Sequence, residues 1–500
     1  MTGVTGASVT NGGDMRMVLG WATAVLAVAA LGVGGCSGHG SSGPSGSTGG
    51  GKSAATSGSS GAPTGASFHG KVPPGFSTAT SWTKELTWTK IGIGTASQSS
   101  QYERISDETV AEQQGEYGLA RVVGGSVVVP SFASGGAAGP VVATLHFLDA
   151  KTGKAIAEKA LPSGTFLGLG VDAVAGKPVA VVRYVPAQNE QAPVTTVFDA
   201  SGTQVWSSDG QPTADSKPWA TGLQRDDNKA PLFVAGYLLR LNNGSDTSDH
   251  TDSSYDVLDT SGKSVLHVPV YADKWDLNGV NVVGGYAVVE YDDSLAQSDT
   301  ANAREHFTVY DLGAGGKKVG EVAQKDSGGM SQAGALAAVN GKVLLTWLGS
   351  GSGAVPPTEM TVLDTATGQT TPPVQLPVNV SEFRAVVDPA TSNVVLYDGS
   401  ESPSASTVVV SMSQGTVLWA QQDRHTSLIP LSLHKGTIYG VEGSTLSTPG
   451  TLLAVKETDG SPAGSDYELS PLDFTADGAP LFAEYDADTS KVTLGAGHTG

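Results

Sequence analysis

Phe147-Leu148-Asp149-Ala150-Lys151-Thr152-Gly153-Lys154 is the stretch on which the fold turns. Apolar residues run into an Asp whose short side chain can accept N–H groups of the turn that follows, and the Gly supplies the positive φ that closes it. That is a hairpin signal. The same signal returns at Val197-Phe198-Asp199 with Gly202, Val257-Leu258-Asp259 with Gly262, Val309-Tyr310-Asp311 with Gly315, and Val362-Leu363-Asp364 with Gly368. Two weaker copies turn at Gly415 and Gly460.

A second signature interleaves with the first. It reads Val122-Val123-Gly124-Gly125 before Val127, then Val174 to Val179 around Gly176, Val234 to Leu239 around Gly236, and Val282-Val283-Gly284-Gly285 before Val288. It continues at Val339-Asn340-Gly341 before Val343, at Asn393-Val394-Val395-Leu396, at Lys435-Gly436 before Ile438, and at Ser490 to Leu494. Each pair of hairpins makes a four-stranded antiparallel sheet of roughly 45 to 60 residues, the size of one repeat unit. Such a sheet cannot cover its own apolar faces, so the sheets stack around an axis as the blades of a β-propeller, an all-β ring with short, protected edges. Ser490 marks an eighth inner hairpin with no downstream partner. The strand-like segment 81–94 is expected to supply it from the N-terminus, joining the two ends of the ring. Eight blades follow, with seven as the alternative.

Upstream of the repeats the chain changes character. Met17 to Val33 is an uninterrupted non-ionisable stretch after Arg16, and it ends at Val33-Gly34-Gly35-Cys36, which carries the chain's single cysteine. The stretch reads as a signal-peptide core. The junction resembles a bacterial lipobox, which implies a lipid on Cys36 and removal of residues 1–35. The junction departs from that pattern in its single basic residue, offset by Asp14, and in a long preamble that a start at Met15 would remove. The alternative is an uncleaved anchor, but the stretch is Gly/Ala-rich and shorter than the roughly 20 residues a spanning helix prefers. Two acyl chains at about 0.8 kcal/mol per buried methylene give durable anchoring. The expected location is therefore the extracytoplasmic face of a cell membrane.

Residues 36–67 are almost entirely Gly, Ser, Thr, Ala and Pro, a flexible tether with no large apolar side chains to offset the entropy of ordering it. Gly46 to Ser53 within it matches the phosphate-binding pattern G-x-x-x-x-G-K-[ST]. The match is coincidental, because that loop needs a buried strand before it and a helix after it to aim its N–H groups. Residues 68–500 are left for the propeller.

Composition narrows the function classes. The 48 acidic and 28 basic side chains give a formal charge of −20, which repels phosphate backbones and excludes nucleic acid as a partner. One cysteine excludes an internal disulfide and any multi-cysteine metal site. The histidines at 146, 250, 267, 306, 425 and 434 show no metal-ligand spacing, and His146, in a strand, reads as structural. The strongest local candidate for a hard cation is the loop of Asp246, Asp249, Asp252 and Asp256, although it lacks the ligand order of a known calcium loop and a solvated loop is its plainer reading. Asp292, Asp293 and Asp299 form a second loop of the same kind. No carboxylate pair falls on one recognisable cleft, so acid–base catalysis has no support in the sequence.

The repeats also resemble a known family, the propellers built from pyrroloquinoline-quinone-type repeats, over about Phe147 to Gly464. That unit reads as a strand, Asp, two residues, Thr-Gly-Lys, two residues and Trp. Thr152-Gly153-Lys154 fits it best, Gly368 keeps its Thr367, and Trp206 and Trp419 fall four residues after their turn glycines. Ala157 and Leu266 hold that position elsewhere. The resemblance implies that Trp206 and Trp419 dock one blade against the next. It also raises the quinoprotein dehydrogenases, which clamp their cofactor with a vicinal cysteine pair, a Ca²⁺ held by Glu, Asn and Asp, and a catalytic Asp. A chain with one cysteine departs from that pattern, so the resemblance points to the non-catalytic members, among them actinobacterial lipoproteins. The expected function is a membrane-tethered binding or scaffold module with an unidentified protein or small-molecule partner and no cofactor. The alternative is a hydrolase or lyase whose site is assembled from several blades.

Overall fold

The computed structural model describes residues 67–87, 120–133, 142–186, 194–208, 233–242, 254–269, 271–272, 275–292, 305–323, 334–348, 358–377, 383–398, 406–422, 428–442, 451–486 and 491–499. Chain contacts separate residues 1–60 from 61–500, and every described element belongs to the second unit. Each regular element among the described residues is a β-strand.

The strands form eight antiparallel sheets, the blades of a propeller. Blade 1 is the meander Arg121–Val123, Ser126–Ala133, Val142–Asp149 and Ala155–Ala160. Blades 2 to 7 repeat it over residues 164–207, 233–269, 271–323, 334–375, 383–422 and 428–465. The first strands of successive blades approach one another, so they line the axis and the fourth strands form the rim. Blade 4 gains a short fifth strand, Tyr271–Ala272, on its inner edge. In blade 5 the outer strand is broken into Gln369–Thr370 and Val374–Gln375. Pro372 and Pro373 stand between the two pieces, and proline offers the ladder no N–H donor.

Blade 8 closes the ring. Its inner strands are Asp473–Phe474, Pro480–Asp486 and Lys491–Thr499, and its outermost strand is Phe76–Thr87 from the other end of the chain. Thr83 pairs with Gly495, Glu85 with Thr493 and Leu86 with Val492. The expected closure is therefore present, although the closing strand starts at Phe76; residues 88–94 lie outside the described residues. One assignment needs correction. Ser490 does not open the inner hairpin of blade 8: the residues after it form the third strand, and the inner turn sits at Gly478. A tight connection between two alternating strands looks the same in sequence whichever pair it joins, so the copy number survived the misplacement.

The two hairpin signatures become the turns at one end of blades 1 to 7. In blades 1, 2, 3, 4, 6 and 7 the register between third and fourth strands slips just before the strand end, between Phe147 and Leu148 in blade 1 and at the matching residues elsewhere. Such bulges raise the local twist, which suits strands that fan outward from an axis. Burial follows the junctions. Apolar clusters join blades 8, 1 and 2 (Trp82, Phe147, Leu169, Leu494), blades 2 and 3 (Val197, Trp206, Leu258), blades 4 and 5 (Phe307, Trp347) and blades 6 and 7 (Val409, Ile438, Val455). Burying each such Val, Leu or Phe side chain contributes about 1.5–3 kcal/mol. The ring is thus held by its blade-to-blade seams.

Candidate functional site

The Asp of each turn is occupied by the turn itself. Asp149 Oδ1 accepts the Lys151 and Thr152 N–H groups at 3.2 and 2.9 Å and the Thr152 hydroxyl at 2.8 Å. The Thr152 hydroxyl leads in holding the Asp149 carboxyl below its ordinary range. Asp259 is held in the same way by the Ser261 hydroxyl at 2.6 Å and the Ser261 and Lys263 N–H groups. At Asp364 the Lys342 ammonium, 2.9 Å away, leads in pulling the carboxyl down to about 2.

A second set of carboxyls, on the innermost strands, ties three of the blades to their neighbours. Asp473 Oδ2 accepts the Val122 N–H at 2.8 Å, joining blade 8 to blade 1. Asp172 Oδ2 accepts the Ala235 N–H at 2.7 Å, joining blade 2 to blade 3, and Asp388 Oδ2 accepts the Gly436 N–H at 3.3 Å, joining blade 6 to blade 7. Burial pushes Asp172 up to about 6 and raises Asp473 as well, against the opposing pull of Arg121. Arg121 donates to the Leu472 carbonyl beside it. These groups are straps of the ring.

The tryptophans key the rim. Trp419 donates from Nε1 to the Glu457 carbonyl of blade 7 at 2.9 Å, and its ring lies where a Cβ on Gly460 would come within 3.0 Å. Trp206 is buried against Leu238 and Leu258 of blade 3. Both therefore take the docking position that the resemblance implies. A third indole does the same and carries no repeat context that would reveal it: Trp82, on the closing strand, donates to the Ala150 carbonyl at 2.9 Å. Gly153, at φ 65°, lies flat on that ring, and a Cβ there would meet it at 2.6 Å.

Blade 1 holds Ala157 at the indole position, and its groove is built differently. Gly202 of blade 2 settles against Ala157 and Phe147. Beside it, a cleft of about 340 Å³ opens between the outer edges of blades 1 and 2. Lys159 and Pro162 form one wall, and Tyr184, Phe198 and Gln204 the other; Thr196 and Ser207 hydroxyls meet within it at 3.1 Å. The cleft brings Lys159, two hydroxyls and the Tyr184 and Phe198 rings to one place, and its lining is more polar than apolar.

The residues singled out in the sequence fall elsewhere. Asp246, Asp249 and Asp252 lie outside the described residues, as do Asp293, Asp299 and Cys36. Asp256 is no loop residue. It sits buried in strand Ser254–Asp259, 3.0 Å from Arg240 Nη2 and 2.8 Å from His267 Nδ1. Its register partners are those same two residues, so one carboxylate binds two cross-strand neighbours and the cation-loop reading loses this ligand. Among the described residues no group of His, Cys, Asp and Glu is arranged to hold a metal ion. His146 is structural as expected, bonded through Nε2 to Ser131 Oγ at 2.6 Å and through Nδ1 to Glu158 at 3.2 Å.

No family model matches the chain, and no curated protein does. Solved structures do. The computationally designed Ika8 protein is 13% identical at a TM-score of 0.36, covering 76% of this chain and 99% of its own. The quinohemoprotein alcohol dehydrogenase ADHIIG from Pseudomonas putida HK5 is 13% identical at 0.39, covering 76% and 74%. A europium-containing methanol dehydrogenase is 12% identical at 0.35, covering 74% and 82%.

Proposed function

We propose that this chain is an exported lipoprotein, held to a membrane through Cys36 and the tether at 36–67, whose ring acts as a binding or scaffold module rather than as an enzyme. The observation that carries the reading is the employment of four buried or half-buried carboxyls. Asp172, Asp388 and Asp473 each accept backbone N–H groups of the neighbouring blade, and Asp256 is closed between Arg240 and His267. Groups held in this way stabilise a rigid ring and are poorly placed to exchange protons with a substrate. The tether also arrives at a defined place: Ser67 bridges Ala79, and Phe68 donates to Thr78 on the outermost strand of blade 8.

Membrane fractionation of the wild type and Cys36→Ser tests the anchor. The wild type is expected in the membrane pellet with the mass of a lipidated Cys36 N-terminus, and the variant in the soluble fraction. A variant that stays in the membrane overturns lipid anchoring in favour of an uncleaved segment. For the binding role, a photo-crosslinker at Gln204 in the cleft is expected to capture one specific partner that Lys159→Glu weakens. Turnover of a substrate by the purified ring would overturn the non-catalytic reading.

A further inference from the structure

In five blades the residue that follows the third strand occupies the same socket. Its N–H donates to a carbonyl of its own blade's inner turn: Ala150 to Gly125, Leu312 to Gly285, Thr365 to Gly341, Met412 to Ser392 and Glu457 to Gly436, all between 2.9 and 3.1 Å. Four of these side chains are apolar or carry a hydroxyl. Glu457 alone in this set carries an acid, and it is fully buried.

Its surroundings have changed with it. Glu457 Oε2 accepts the Thr391 hydroxyl at 2.7 Å and the Asn393 Nδ2–H at 2.8 Å, both from the inner turn of blade 6. Oε1 receives no donor, which is costly for a carboxylate oxygen cut off from water. Asp388, itself buried, shares a neighbour with it: Asp388 Oδ2 accepts the Gly436 N–H and Oδ1 the Ala390 N–H, while the Gly436 carbonyl accepts the Glu457 N–H. Two ionised carboxylates cannot bond to each other, and a proton on one of them resolves both their approach and the orphan oxygen.

We propose that Glu457 is a carboxylic acid donating to the Asp388 carboxylate, and that this shared proton is a pH-sensitive latch between blades 6 and 7. Among the described residues neither carboxyl is paired with a cation. Asp388 is the charged group that acts on Glu457, while Lys435 and Asp388 act on His434, and Lys456 acts on Asp459. Burial first, and then the Asp388 charge, raise the Glu457 carboxyl to about 7. The sign follows directly. The folded chain holds a proton that an unfolded glutamate has lost, so stability is greatest in acid and falls as pH rises toward and through neutrality. Loss of the proton places two carboxylates face to face at a seam gripped on the backbone side by Trp419.

The test follows the unfolding midpoint of the full chain from about pH 5.5 to about pH 8.5, a span that brackets the titration of a raised carboxyl. The wild-type midpoint is expected to fall across this range. Glu457→Gln keeps a donor toward Asp388 but cannot titrate, and is expected to lose most of that slope. Infrared spectra near the acid end should show more protonated-carboxyl absorption in the wild type than in Glu457→Gln, above the contribution that Asp172 makes to both. An unchanged slope in Glu457→Gln, or a wild-type-minus-variant spectrum without that band, overturns the latch. So does a wild-type midpoint near pH 8.5 that Ca²⁺ raises and that of Glu457→Gln does not follow, since the pair would then hold a cation. Should Glu457→Gln fail to fold, Asp388→Asn carries the same prediction, because its amide can donate to ionised Glu457.

Discussion

The 8–1 and 6–7 seams are each keyed by an indole, whereas the 1–2 seam is not. Trp82 and Trp419 each fill the groove between outer edges, give their N–H to a carbonyl of the next blade and leave a turn glycine pressed on the ring. At the 1–2 seam, Ala157 is too small to span the groove; Gly202 closes on it, and the remaining space becomes the cleft around Lys159 and Tyr184. One repeat position therefore sets whether a seam is a lock or a recess. The choice costs the fold a hydrogen bond and an aromatic contact, and it yields surface on which a ligand can rest.

Three substitutions probe that contrast. The largest effect is expected for Trp82→Ala, because it empties a buried socket and orphans the Ala150 carbonyl at the seam where the chain ends meet. A loss of about 3–5 kcal/mol in urea unfolding is the expected outcome, with early loss of the pairing between Phe76–Thr87 and Lys491–Thr499 in hydrogen exchange. A loss below about 1 kcal/mol would mean that the strand ladder alone closes the ring. Ala157→Trp should be intermediate. Gly202 already touches Ala157, so an indole overpacks the socket and costs about 1–3 kcal/mol; a stabilised variant would show that the seam can reopen to accept the key. The smallest effect belongs to Trp419→Phe, which keeps the ring stacked near Gly460 and removes the bond to the Glu457 carbonyl. About 1 kcal/mol is expected, and no change would show that water replaces the donor.

Much of this was legible before any coordinates. The Asp–Gly turns and the inner turns at Gly176, Gly236, Gly341 and Gly436 sit where the sequence places them, because a turn depends on residues within a few positions of one another. Ring closure was legible from an unpaired repeat. Trp82 was not, since its role depends on a turn 68 residues away and no repeat of its own flanks it. Asp256 was misread for a related reason: a carboxylate at the end of an acidic run looks solvated until strand pairing sets it between Arg240 and His267. Glu457 gave no signal, because nothing in its local sequence marks the position as buried and Asp388 and Asn393 belong to another blade.

The sequence by itself determined the blade: which residues alternate, where its turns fall, and that the unit recurs around a ring of eight or seven. Those properties are set by local steric and hydrogen-bonding preferences and by the need of each sheet to cover its apolar faces. Only the tertiary structure decided which seams are keyed, which groove stays open and where a buried acid meets a buried carboxylate. Such pairings join residues tens to hundreds of positions apart, and they exist only once the ring has brought neighbouring blades into contact.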